Sequence, residues 1–97
     1  MIENAHDTEE RLRELKPVLR RRFKVKEIGV FGSYARGEQT QASDIDILVD
    51  LQNPLGWDFF SLKEFLEKEL NHSVDLVTRN ALKKQLKDEI LSQTKFV

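Results

Sequence analysis

The chain has 97 residues, a formal net charge of −1 and 34% charged residues, so we expect one small domain (1–97) with no room for a separate substrate-binding module. The balanced charge argues against a protein that binds nucleic acid directly, and the absence of cysteine excludes a disulfide scaffold and thiolate metal sites. No apolar run reaches the length of a membrane span and the N-terminal residues lack a signal-peptide core, so we expect a cytoplasmic protein with no membrane partner.

The first predicted element is an amphipathic helix over about residues 7–23. Its apolar positions recur at helical spacing and would face the core: Leu12, Leu15, Leu19 and Phe23. Pro17 lies inside this pattern, lacks an amide hydrogen and clashes with the preceding turn. We therefore expect the helix to be kinked or split near Lys16.

The later elements alternate between β-branched runs, which predict strands, and amphipathic runs, which predict helices. In chain order they are a strand at about 25–31, a loop at 32–43, a strand at 44–50, a turn at 53–56, a helix at 57–70, a strand at 73–77 and a last helix capped by Asn80. The order α-β-β-α-β-α predicts an α/β (α+β) domain, in which a small mixed β-sheet has helices packed on one face.

Two carboxylates lie one residue apart at the start of the second strand. Side chains on a strand alternate between its faces, so Asp44 and Asp46 share one face while Ile45 and Ile47 share the other. Neighbouring like charges repel each other, and a bound divalent cation would reverse that cost. Carboxylate oxygens suit Mg²⁺, which proteins usually hold with one or two carboxylates and the substrate's phosphates.

A Gly-Ser pair follows the first strand and supplies the other half of a phosphate site. Gly32 permits close approach of the backbone to a ligand, and Ser33 adds a hydroxyl that can bond a phosphate oxygen. Backbone N–H groups at a junction between a strand and a helix bind anions. The two features together predict a metal-bound nucleoside triphosphate as ligand.

Other residues near this motif remain open at this stage. Tyr34 is ambiguous between packing and stacking on a base, and Arg36 is either a surface cation or a contact to the triphosphate or to a partner. The basic run at residues 20–26 either complements a helix dipole or faces an acidic partner. His6 and His72 have no companions at ligand spacing, so we do not expect them to bind metal.

The spacing of these motifs carries a resemblance to a known family. Gly-Ser, ten residues and then Asp-x-Asp resembles the signature of the DNA polymerase β-like nucleotidyltransferase superfamily. The surrounding sequences Phe-Gly-Ser-Tyr-Ala-Arg-Gly and Ser-Asp-Ile-Asp-Ile-Leu-Val resemble its smallest branch, the MNT-type minimal nucleotidyltransferases that are antitoxins of HEPN toxins. The resemblance covers about residues 8 to 92 and implies the polymerase β palm-like fold.

The resemblance also implies roles for individual residues. The superfamily places a third carboxylate on a later strand, and Asp75 matches it, so Asp44, Asp46 and Asp75 are expected to be catalytic and to bind Mg²⁺. Gly32 and Ser33 are expected to hold the β and γ phosphates of ATP, with Arg36 as a further candidate.

The acceptor is implied by the same branch. We expect a protein adenylyltransferase that transfers AMP from ATP to a tyrosine of a cognate HEPN ribonuclease toxin, with which it forms a hetero-oligomer. Two alternatives stay open: an antitoxin that neutralises its toxin by contact without catalysis, and a nucleotidyltransferase that modifies a small-molecule hydroxyl. No Arg lies at the HEPN spacing before His6 or His72, so the chain is not expected to be the ribonuclease.

Overall fold

A computed structural model of the chain describes residues 5–40 and 42–97. The elements are α1 (Ala5–Phe23), β1 (Val25–Phe31), α2 (Gly32–Arg36), β2 (Ile45–Leu51), α3 (Asp58–Leu70), β3 (Val74–Thr78), a short 3₁₀ helix (Arg79–Ala81), α4 (Lys84–Gln93) and β4 (Lys95–Phe96). No helix in these two segments is long and apolar enough to cross a membrane.

The four strands form one mixed sheet in the order β3-β2-β1-β4. β2 runs antiparallel to β1 and parallel to β3, while β4 pairs with the outer edge of β1 in antiparallel fashion. The start of β2 therefore lies between the end of β1 and the start of β3. This arrangement brings the Gly-Ser turn and the acids of two strands to the same end of the sheet.

The hydrophobic core lies between one face of the sheet and the helices α1 and α3. The two helices contribute leucines at helical spacing, and β2 contributes the side chains that alternate with its acids. The fully buried members with no exposed surface include Leu12, Leu19, Ile28, Val30, Ile45, Ile47, Val49, Leu62, Leu66 and Leu70. The predicted α/β class with a small mixed sheet is thus confirmed, and each of the three predicted strands lies within one residue of its observed bounds.

Of the two outcomes expected at Pro17, a split of the first helix is wrong, because α1 is a single helix with Pro17 inside it. Proline removes one backbone hydrogen bond and strains one turn. Here the side chain of Pro17 is exposed, while Leu15 on one side and Leu19 on the other are anchored in the core. Burial of both halves of the helix outweighs the local cost.

The short helix α2 occupies the start of the predicted loop, at the junction between strand and helix expected for the Gly-Ser pair. The prediction that Asn80 caps the last helix is wrong, because Asn80 lies in the 3₁₀ helix and α4 starts at Lys84. One further element was not predicted. The chain then ends with the two-residue strand β4, which is too short to show a period-two pattern.

Gly29 on β1 explains how β4 is accommodated. It is paired with Leu48 on one side and Phe96 on the other, and a Cβ atom at this position would come within 2.6 Å of Thr94 Cγ2 and 2.9 Å of the Lys95 carbonyl oxygen. Glycine inside a strand commonly marks such a close approach.

We expect Gly29→Ala to lower the free energy of unfolding by about 1 to 3 kcal/mol, the usual range for overpacking. The clash is with the Thr94 methyl group and with the backbone of Lys95 and Phe96, so β4 must move away from β1. Thermal unfolding measures the loss, and hydrogen exchange of the Val97 amide, which donates to the Ile28 carbonyl over 3.1 Å, measures the local detachment. Unchanged exchange at Val97 in a destabilised variant would contradict this account.

Candidate active site

The register of the sheet places Asp46 at the centre of the candidate site. Asp46 is paired with Phe31, the last residue of β1, and with Asp75 on β3. Its strand neighbours Ile45 and Ile47 are buried in the core, so the Asp46 side chain is on the opposite face, away from α1 and α3. The structure thus brings together the two acids that sequence analysis took from different strands.

Gly32 lies directly against the carboxylate of Asp46. Its φ of +70° is a left-handed conformation, and a Cβ atom there would lie 2.0 Å from Asp46 Oδ2. A side chain would be strained by the backbone angle and would also collide with the carboxylate. Glycine is therefore required at position 32 for two reasons: the left-handed backbone of the turn and the close contact with the Asp46 carboxylate.

The segment between the Gly-Ser pair and Asp44 is held by local hydrogen bonds. α2 ends at Gly37, which has a φ of +72°, and the Glu38 amide donates to the Ser33 carbonyl over 2.9 Å. Further on, the Thr40 amide donates to Ser43 Oγ over 2.9 Å. These bonds fix the path of the backbone that leads to Asp44. The Asp44 side chain is exposed next to the start of β2.

The electrostatics of the site are dominated by crowded carboxylates. The pKa of Asp46 is raised from 3.8 to about 6. Burial is the largest cause, followed by the charge of Asp75, a hydrogen bond with Asp75 and the charge of Asp44. The Arg36 guanidinium opposes this rise. In the absence of a ligand, the Asp46 carboxyl therefore keeps its proton to a higher pH than an ordinary aspartate does.

This pKa predicts a pH-dependent cost to stability in the ligand-free protein. Between about pH 4 and pH 6 the folded state binds more protons at Asp46 than the unfolded state does, so the free energy of unfolding falls as pH rises through this window. We expect Asp46→Asn to raise it by about 1 to 2 kcal/mol at pH 7.5, after allowance for solvent screening, and to have little effect near pH 4. Urea unfolding in the presence of a chelator measures both values, and a loss of stability at pH 7.5 would contradict the charge crowding.

Arg36 lies at the end of α2, half-exposed, on the same side as the acids. Its Nε atom donates to Glu38 Oε2 over 2.9 Å, and its Nη1 atom donates to Gln93 Oε1 of α4 over 3.3 Å. The two bonds leave guanidinium donors available for a phosphate. Arg36 is therefore held near Asp46 and can still contact a bound nucleotide.

Tyr34 is a packing residue in this structure. Its side chain is only 3% exposed, and burial raises the pKa of its hydroxyl, so its ring is not available to stack on a base. The hydroxyl lies 3.2 Å from His72 Nε2. His72 was set aside by sequence analysis because it lacked metal-binding companions, and no sequence pattern connects it to a tyrosine that precedes it by 38 residues.

The donor set at this end of the sheet fits Mg²⁺ chemically. Among residues 5–40 and 42–97, no group of three or more His, Cys, Asp or Glu side chains is arranged to hold a metal ion. Mg²⁺ does not need one, because its usual protein sites use one or two carboxylates and leave the other positions to water and substrate phosphates. The raised pKa of Asp46, to which the charges of Asp75 and Asp44 contribute, marks crowded negative charge that a cation would neutralise.

A cavity of about 230 Å³ lies at the other end of β2 and is lined by residues that include Asp50, Leu55 and Arg79. Asp50 is on the same face of β2 as Asp46 but four positions further along, roughly 13 Å at the rise of a strand. The cavity is therefore separate from the carboxylate cluster, and we do not assign the nucleotide to it.

Comparison with known proteins agrees with this geometry. Residues 12–97 match the family model described as the nucleotidyltransferase domain. The chain is 47% identical over 83 residues to the protein adenylyltransferase MntA of Thermococcus cleftensis, covering 84% of each chain. It is 48% identical over 82 residues to a candidate protein adenylyltransferase of Methanocaldococcus jannaschii, covering 84% of this chain and 95% of that protein.

Solved structures show the same fold. A minimal nucleotidyltransferase superposes with a TM-score of 0.80 at 32% identity, over 96% of this chain and 95% of that one. A toxin–antitoxin structure with AMP-PNP superposes with a TM-score of 0.75 at 32% identity, over 91% of this chain and 70% of that one. A complex of a tri-AMPylated HEPN toxin of Shewanella oneidensis with its MNT antitoxin superposes with a TM-score of 0.66 at 26% identity, over 92% of this chain and 70% of that one.

The polymerase β-like fold and a site built from a Gly-Ser turn beside strand acids define a nucleotidyltransferase. This chain belongs to the nucleotidyltransferase domain family and is a nucleotidyltransferase of the minimal type.

Proposed function

We propose that this nucleotidyltransferase is a Mg²⁺-dependent protein adenylyltransferase, which transfers AMP from ATP to a tyrosine of a HEPN-domain partner and thereby acts as its antitoxin. The observation that carries the chemistry is the convergence of Gly32, Asp46 and Asp75 at one end of the sheet. The relatives support the choice of nucleotide and acceptor, since they include a protein adenylyltransferase, a complex with AMP-PNP and an AMPylated HEPN toxin bound to an MNT antitoxin.

In this proposal the acids and the Gly-Ser turn have separate tasks. Asp44 and Asp46 would hold the Mg²⁺ that neutralises the triphosphate and the departing diphosphate, and together with Asp75 they would hold a second Mg²⁺ on the acceptor side. Gly32 and Ser33 would bind the β and γ phosphates through backbone N–H groups and the Ser33 hydroxyl. Arg36 would add positive charge on the same side.

Asp75 is proposed to act on the acceptor side. Its side chain is exposed while Val74 and Leu76 on either side are buried, so a partner's hydroxyl can reach it. Asp75 would accept the proton of the tyrosine hydroxyl as its oxygen attacks the α-phosphorus. The new bond joins that oxygen to the α-phosphorus, the bond to the β-phosphate oxygen breaks, and diphosphate leaves. Positioning and charge stabilisation provide most of the acceleration in such transfers.

Inactivation of the toxin would follow from the charge of the product. An AMP ester on a tyrosine adds a negative phosphate to the toxin surface, and near a ribonuclease site that charge repels the RNA backbone.

Intact-mass spectrometry of the partner tests the proposal. A candidate HEPN-domain partner is incubated with the chain, ATP and Mg²⁺, and we expect a mass increase of AMP on a tyrosine together with loss of ribonuclease activity. The same incubation with Asp46→Asn should leave the partner unmodified. A partner that is inhibited without modification would favour neutralisation by contact, and a modified small molecule beside an untouched partner would favour the small-molecule acceptor.

Ligand binding should also be visible in thermal unfolding. We expect ATP and Mg²⁺ together to raise the melting temperature more than either alone, because each supplies charge that the other needs; saturation to a hundred times Kd corresponds to about 2.7 kcal/mol. Asp75→Asn should keep much of this shift and lose transfer. Circular dichroism is the suitable probe, since Trp57 is already 86% exposed in the folded protein. An equal shift with ATP alone would contradict the metal requirement.

A further inference from the structure

His72 connects the helix that carries the Gly-Ser turn to the strands that carry the acids. Its Nδ1 atom lies 3.1 Å from the Ser73 carbonyl oxygen, and a carbonyl accepts only, so the ring proton is on Nδ1. Nε2 is then an acceptor, and the Tyr34 hydroxyl donates to it over 3.2 Å. The two rings also meet edge to face, with centroids 5.8 Å apart at 81°.

The carbonyl that His72 contacts is itself a junction between the two acidic strands. The Ile45 amide donates to the Ser73 carbonyl over 3.0 Å. Ile45 lies between Asp44 and Asp46, and Ser73 precedes Asp75 by two positions. The Ser73 carbonyl thus accepts two hydrogen bonds, one from the Ile45 amide of β2 and one from the imidazole N–H. It therefore links His72 to the start of both strands.

The backbone around His72 is fixed by α3. Asn71 ends that helix in a left-handed conformation with a φ of +52°, and the His72 amide donates to the Glu67 carbonyl over 3.2 Å. The Glu67 side chain then accepts the Val74 amide over 3.0 Å. His72 is therefore presented to Tyr34 from a rigid turn.

α2, by contrast, has little to hold it in place by itself. It has five residues and no side-chain cap at its first turn, and helices this short are not stable alone. Tyr34 and Ala35 are its two buried side chains. Tyr34 makes a part-buried polar contact to His72, whereas the bond from Arg36 to Gln93 is exposed. The position of Gly32 and Ser33 relative to the acids therefore depends on the anchoring of Tyr34.

We propose that His72 is a positioning residue, which holds α2 through Tyr34 so that the Gly-Ser turn faces the acids of β2 and β3. This inference rests on the proposed function for its kinetic consequence. Its structural consequence, the ordering of α2, concerns the ligand-free chain and is independent of the acceptor.

Graded variants of His72 separate its two contacts. In His72→Gln the side-chain amide extends to the position of Nε2, so its oxygen can accept a hydrogen bond from the Tyr34 hydroxyl. In His72→Asn the shorter amide can still contact the Ser73 carbonyl but cannot reach Tyr34. We expect Tyr34→Phe and His72→Asn each to lower kcat/KM for ATP about tenfold, and the double variant to lower it no further, because both remove the same bond. His72→Gln should stay within about threefold of the unchanged protein.

Hydrogen exchange supplies a readout that does not require activity. In Tyr34→Phe and His72→Asn the amides of α2 should exchange about tenfold faster, and those of α3 should not change. Lys16→Met is the matched control, since it removes a remote tertiary bond to the Val97 carbonyl and should affect neither α2 exchange nor kcat/KM.

Two results would overturn the positioning role of His72. One is additive losses in the double variant, and the other is unchanged exchange of the α2 amides in both single variants. An absence of transfer by the unchanged chain would count against the proposed function alone, because faster exchange of α2 in the variants would still support the anchoring of Tyr34 by His72.

Discussion

Asp46→Asn is expected to reduce AMP transfer by a hundredfold or more while the fold is retained. Asparagine keeps the size of the side chain but removes the charge that would hold the metal-bound triphosphate, and loss of such a contact costs roughly 3 kcal/mol of transition-state stabilisation. Asp44→Asn should have a similar effect, because its carboxylate lies at the same end of β2. The folded state does not need either charge, and the raised pKa of Asp46 shows that its negative charge destabilises the folded state.

The matched control is Asp50→Asn on the same face of the same strand. Asp50 lies at the far end of β2, where its carboxylate is 3.7 Å from the Arg79 guanidinium, so the substitution changes net charge equally without touching the carboxylate cluster. Initial rates with labelled ATP, together with circular dichroism of each variant, make the comparison. Near-normal turnover in Asp44→Asn and Asp46→Asn would contradict the proposal that these carboxylates hold Mg²⁺.

Gly32→Ala is expected to have a second large effect, by a steric route. The new methyl group would lie 2.0 Å from Asp46 Oδ2, so the carboxylate and the turn must separate. A displacement of about 1 Å at a reacting centre can cost a hundredfold in rate, and the left-handed φ adds about 1 to 2 kcal/mol of strain to the folded state.

Gly37→Ala separates strain from collision. Gly37 has nearly the same left-handed angle, with a φ of +72°, but nothing lies within 4 Å of the Cβ position. We expect it to lose similar stability and to keep most of its activity when assayed well below its melting temperature. Equal rates for the two alanine variants would show that the contact of Gly32 with Asp46 has no catalytic importance.

The sheet and the candidate site were largely predictable because both depend on local patterns. β-branched runs gave the strands, since burial on one face selects such residues. The period of two placed Asp46 opposite Ile45 and Ile47, as observed. The pairing of Asp46 with Asp75, however, came from the resemblance to a family, because the register between strands far apart in sequence has no local signal.

The parts that were missed depend on tertiary contacts. β4 has only two residues, and Gly29 inside the first predicted strand was the available sign of its close approach. The continuity of α1 through Pro17 reflects burial on both sides of the proline, which exceeds its local cost. The burial of Tyr34 and its contact with His72 likewise follow from the turn after α3, and no spacing in the sequence indicates them.

The most direct measurement of the central claim follows the two ends of ATP. The chain is incubated with the proposed HEPN-domain partner, Mg²⁺ and ATP labelled on either the α or the γ phosphate. The account predicts that the α label becomes covalently attached to the partner, that the γ label appears in diphosphate, and that Asp46→Asn abolishes both. Attachment of the γ label, or loss of partner activity with neither label attached, would contradict it.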